Sequence, residues 1–174
     1  MNSGFTTTRQ EHEVIGRWIA NLGKPSKTSI SVVAWKQGWG QLCMGQSIIE
    51  KPLCLAGKEY QWGLGTHADS EITIRSNAPL QLFRSWVGVD HNPNSAAGSA
   101  ETIFSVLSDD KMLAESTPLT VNSAPQRLEV PLHGATEFTL KVTSTNTIHL
   151  AHADWAQAEV VTADGQPLRV GTPE

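Results

Sequence analysis

The sequence is short of cysteine, tyrosine and charge. Its 174 residues include two Cys, one Tyr and 17% charged side chains. Cys43 and Cys54 form no Cys-x-x-Cys pair, which argues against a thiolate metal site, and the expectation is free thiols packed as small hydrophobes. Lys and Arg together number 13 against 17 Asp and Glu, a net charge of −4, and no basic cluster stands out. That excludes a nucleic-acid surface, which needs clustered Lys and Arg to neutralise phosphates. No apolar run approaches the roughly 20 residues that cross a bilayer, so no membrane span is expected. Residues 1–13 lack the basic start and apolar centre of a signal peptide. The expectation is an unassigned compartment, extracellular if the chain is a piece of a longer secreted protein. Serines lack the context of a nucleophile elbow, and no facing carboxylate pair of the glycosidase kind stands out.

What is present is a β-rich pattern behind one helix. Thr8 and Glu11 have the form of a capping box; Val14, Ile15, Trp18, Ile19 and Leu22 follow at helical spacing, and Gly23 and Pro25 end the run. Residues 1–28 therefore read as an N-terminal helical segment, and 29–174 as the main domain. Within it, period-two alternation marks strands at 71–75, 81–87 and 127–132, with further β-rich runs at 29–35, 102–107, 137–142 and 158–161. Gly57-Lys58, Asn77-Ala78-Pro79, Asp109-Asp110 and Asp164-Gly165 separate them as turns. Many short strands with frequent turns predict an all-β, antiparallel β-sandwich. The polar stretch 91–100 reads as a loop at one end of it.

Two His-Ala-Asp triplets stand out, His67-Ala68-Asp69 and His152-Ala153-Asp154. Residues two apart in a strand share a face. Brought together, the triplets suit a metal site, an acid/base site or a polar clamp for a small ligand. As a metal-dependent hydrolase, the chain would use His67, Asp69, His152 and Asp154 as ligands.

Longer blocks around the triplets carry a resemblance. Tyr60-Gln61-Trp62-Gly63-Leu64-Gly65-Thr66-His67-Ala68-Asp69-Ser70 follows Trp39-Gly40 and Pro52-Leu53, and precedes Val87-Gly88-Val89-Asp90 and His152-Ala153-Asp154-Trp155-Ala156. In this order, from about residue 35 to 161, the blocks resemble the NPCBM domain, also called carbohydrate-binding module family 51. The resemblance implies a jelly-roll sandwich of galactose-binding-like type and no catalysis. It implies recognition of galactose-type glycans and a covalently linked or adjacent glycosidase domain. A structural calcium ion is common in this fold group. The chain departs from the pattern at Gly45, His91, Ala151 and Gln157, where the family more often carries acidic or amide residues.

Sugar hydroxyls call for fixed polar side chains, and the apolar face of a galactose ring stacks on an aromatic. The candidate sugar-binding residues are accordingly Trp39, Trp62, His67, Asp90, His91, Asn92, Asn94, His152, Asp154 and Trp155. Each Trp equally suits a sandwich core, and each polar residue equally suits a loop fastener. A third expectation stands beside these: a sandwich that packs on a catalytic domain without binding sugar.

Overall fold

The computed structural model describes residues 27–173; the helix expected at residues 8–22 lies outside them. Thirteen strands and one short helix follow in chain order among the described residues. They are β1 (Ile30–Gln37), β2 (Cys43–Met44), β3 (Leu53–Leu55), β4 (Lys58–Tyr60), β5 (Gly63–His67), β6 (Ser70–Ser76), β7 (Leu80–Val89), α1 (Pro93–Ala96), β8 (Thr102–Ser108), β9 (Lys111–Glu115), β10 (Gln126–Pro131), β11 (Glu137–Ser144), β12 (His152–Thr162) and β13 (Pro167–Arg169).

The strands form two facing antiparallel sheets, ordered β1-β6-β11-β8-β9 and β10-β7-β12-β5-β2, with β13 paired to the far half of β12. The expected antiparallel sandwich is the fold. Alternation does the building: Ile72 and Ile74 of β6, Leu140 and Val142 of β11, Phe83 and Val87 of β7 all point into one sealed core. Trp155 is its centre, fully buried, with Phe104 and Phe83 edge-on at 5.2 and 5.9 Å.

A third layer lies on the outer face of the second sheet. The β3–β4 hairpin lays Leu53, Leu55 and Tyr60 over Ala156, with Trp86 at its side. The close approach of the loop before it depends on Gly65: a Cβ there would stand 2.3 Å from the Gln46 carbonyl oxygen.

Two elements differ from expectation. The last long strand begins at His152, six residues before the run at 158–161 that alternation reveals. The reason is a bulge. Ala153 and Trp155 face the core, Gln157 takes φ 47°, and the inward positions resume at Ala158 and Val160. The extra residue reverses the phase of the alternation and hides the continuity of the strand. The polar stretch 91–100, expected to be wholly loop, contains α1, closed by a reciprocal cap between Asn92 and Ser95.

Candidate functional site

One end of the sandwich gathers the residues of interest. There β5 and β7 end, β12 begins, and the β1–β2 and β11–β12 connections pass over. A cleft of about 570 Å³ opens at this end, walled by Trp39, Ile49, Asn94 and the segment 147–150, with His67 and His152 lining it.

His67 and His152 are opposite partners in the β5–β12 ladder, so both rings stand on the outer face of the second sheet. Their centroids are 5.7 Å apart, and the Trp39 ring lies 6.0 Å from that of His67. Both histidines are almost wholly buried, whereas Trp39 is 62% exposed. Burial is the main cause that lowers both imidazole pKa values, so the pair is neutral at pH 7. His67 Nδ1 sits 2.6 Å from the Ala68 carbonyl oxygen, an acceptor only, so Nδ1 carries the proton.

Trp39 is held by its backbone. Gln37 Nε2 donates to the Trp39 carbonyl at 2.6 Å, and the buried Thr66 hydroxyl donates to Gln37 Oε1 at 2.9 Å. Gly38 permits the turn to pass over β5, because a Cβ there would stand 2.6 Å from the Ala68 carbonyl oxygen. The opposite wall, segment 147–150, is tied by Asp69, whose Oδ1 accepts from Ser144 N–H at 2.7 Å, and by Ser144, whose hydroxyl donates to the Thr147 carbonyl at 2.6 Å.

Behind His152 lies a buried polar cluster. Asn92 Nδ2 donates to Asp90 Oδ2 and stands 3.0 Å from His152 Nδ1. Asp90 Oδ1 and Asp154 Oδ2 share the Cys54 N–H, at 3.0 and 3.2 Å. Asp154 is sealed from solvent, and its Oδ1 has no partner among the described residues. Burial, with the Asp90 carboxylate beside it, holds the Asp154 carboxyl well above the usual range.

The structure therefore sorts the ten candidates. Trp39, His67, Asn94 and His152 line the cleft. Asp90 and Asn92 lie buried behind it and support His152. Four are displaced from it. Trp155 is the core tryptophan, because its odd position in β12 turns it inward. Asp154 shares the outer face with His152 but is covered by the β3–β4 hairpin. Trp62 sits along the far half of β12, its Nε1 donating to the Ala158 carbonyl at 3.1 Å and its ring under the Arg169 guanidinium at 4.0 Å. His91 is exposed and lies outside the cleft lining, its N–H bonded to the Cys54 carbonyl.

The four-ligand metal reading is not assembled. The histidines meet, but Asp69 turns to Ser144 and Asp154 is sealed beside Asp90. Among the described residues no three His, Cys, Asp or Glu side chains converge in a metal-binding arrangement. A calcium ion takes six to eight oxygens, commonly with several carboxylates. The carboxylates nearest the cleft, Asp90 and Asp154, hold the Cys54 N–H, and Asp90 also accepts from Asn92. Sequence reasoning missed Ile49 and the segment 147–150, which carry no motif and reach the cleft only through the fold, and it missed Gln37, which with Thr66 supports the Trp39 backbone.

An antiparallel sandwich with a cleft at one strand end, rimmed by an exposed indole and two imidazoles, defines a module of the galactose-binding-like class. The chain belongs to the NPCBM/NEW2 domain family, whose model matches residues 26–161. It is 33% identical over 154 residues to a Renibacterium salmoninarum protein named as an endo-alpha-N-acetylgalactosaminidase, a match covering 81% of this chain. The chain spans only 10% of that relative's length. Among solved structures, it is similar to the second family 51 module of Clostridium perfringens ZmpB, seen with GlcNAc: TM-score 0.69, 25% identity, 75% of this chain and 29% of that one. The family 51 module of a Clostridium perfringens GH95 protein, seen with methyl-galactose, has TM-score 0.67 at 23% identity over 78% of this chain and all of that one, a likeness of fold. No helix among the described residues is long and apolar enough to cross a membrane.

Proposed function

We propose that this domain is a non-catalytic carbohydrate-binding module that takes a galactose-type sugar in the cleft beside Trp39. By that contact it would hold a linked glycoside hydrolase domain on extracellular glycans. One observation carries the reading: an indole left 62% exposed stands next to two buried imidazoles at the mouth of a preformed cleft. A sugar presents an apolar ring face and a rim of hydroxyls, and the cleft presents the matching pair of surfaces. The neighbours seen with methyl-galactose and GlcNAc, and the relative named as a glycosidase, support it. So does the chemistry of the cleft, which has neutral imidazoles and an exposed Asn but no carboxylate pair set up for hydrolysis.

The test is calorimetric titration of the full chain with methyl galactoside and with GlcNAc. The expected result is weak binding, in the range of a shallow site with one stacking ring. No heat and no tryptophan fluorescence change with either sugar at tens of millimolar would sink the reading in favour of a packing module.

A further inference from the structure

Two buried histidines line the cleft; Nδ1 of each ring is engaged, and among the described residues no hydrogen bond is made by either Nε2. The Nδ1 contacts differ in kind. His67 Nδ1 faces the carbonyl oxygen of Ala68, which only accepts, so the proton sits on Nδ1 and Nε2 is left as a bare acceptor. His152 Nδ1 faces the side chain of Asn92 at 3.0 Å, and the orientation of that amide decides the outcome.

The amide is fixed from the other side. Its Oδ1 accepts the N–H groups of Asn94 and Ser95, both at 3.0 Å, as the cap of α1. Its Nδ2 gives one proton to Asp90 Oδ2. Turning the amide over would set the oxygen against Asp90 and Nδ2 against two backbone donors. The second Nδ2 proton therefore goes to His152 Nδ1, which must accept, and the His152 proton must be on Nε2.

We propose that Asn92 is a positioning residue that locks His152 as a hydrogen-bond donor toward the cleft, opposite His67 as an acceptor. The two nitrogens then ask for an acceptor and a donor side by side, which a vicinal pair of hydroxyls on one sugar ring supplies. This rests on the carbohydrate reading of the cleft and adds the polarity with which the ring is read. Aprotic ligands of similar size and shape satisfy only half of the pair.

Asn92→Ser keeps a strong N-cap residue but has no amide to offer His152. The charged and titratable groups around the pair are Asp90 behind Asn92, with Asp69 and His149 beside His67; the variant leaves all three in place. Nitrogen-15 spectra of the imidazoles in the wild-type full chain come first, and need no sugar. The expected spectrum has the His67 proton on Nδ1 and the His152 proton on Nε2. In Asn92→Ser the His152 signals move to a tautomer mixture. Methyl galactoside affinity falls roughly five-fold, the scale of one neutral hydrogen bond, and its acid loss begins at higher pH. Two results would overturn the inference: a wild-type His152 protonated on Nδ1, or a variant that binds and titrates like wild type. Failure of the wild type to bind sugar at all, with the tautomers as described, overturns the carbohydrate reading and the ligand class drawn from it, and leaves the role of Asn92 in fixing His152 standing.

Discussion

His67 and His152 are direct register partners in the β5–β12 ladder, and their rings meet 5.7 Å apart in the cleft. They stand 85 positions apart in the chain, yet one strand pairing makes them a unit. What surrounds the unit leads to separate expectations.

Trp39 offers the apolar surface of the proposed sugar site. Its ring is mostly exposed and its backbone, not its side chain, carries the structural bonds to Gln37. Trp39→Ala should therefore leave the melting temperature close to wild type while weakening methyl galactoside binding about ten-fold or more. Calorimetry paired with differential scanning fluorimetry separates the two effects, and a variant that melts early with intact affinity would reverse the assignment.

Acid should weaken both binding and the fold. Burial holds the His67 and His152 pKa values below the ordinary value of about 6.5. In that window the folded chain binds fewer protons than the unfolded one. The stabilisation is complete above about pH 6.5 and is lost as the pH falls through the lowered values. Melting temperature and sugar affinity measured in parallel from neutral to mildly acidic pH should fall together; affinity that rises on acidification would contradict neutral imidazoles at the site.

Asp154 acts with the opposite sign. Its carboxyl is held above the usual range by burial first and by Asp90 next. The sign is opposite to that of the histidines: this stabilisation is full below the ordinary carboxylate value and drains as pH rises through the raised one. Asp154→Asn removes the ionisation and keeps an acceptor for the Cys54 N–H. Its melting temperature should decline less steeply with rising pH than that of wild type, and equal slopes would refute the assignment.

Trp155 tests the division between core and site. It is fully buried against Phe83 and Phe104, so Trp155→Ala should cost about 3–5 kcal/mol of stability. Trp155→Phe should retain the fold and leave sugar affinity unchanged, because the ring never reaches the cleft. Denaturant melts and a titration of the Phe variant check both statements.

Alternation along β6, β7 and β10 was legible because one face of each strand packs on a core and the other does not. The start of β12 was not, because the bulge at Gln157 resets the period. The same split runs through the site. Trp39, Asn94 and both histidines could be nominated from residue type and motif. Asp69 was classed with the triplets yet serves the β11–β12 connection, Thr66 stood in a family block without a role of its own, and Gln37 carries no mark at all.

The antiparallel sandwich and membership of the NPCBM family could be read from the residues alone, since both rest on local periodicity and short ordered blocks. Which half of each His-Ala-Asp triplet lines the cleft depends on the fold. The two histidines sit at the open strand end, whereas the hairpin Leu53–Leu55 covers Asp154, two residues further along the same face. Strand alternation assigns a residue to a face; what covers that face is settled by long-range packing.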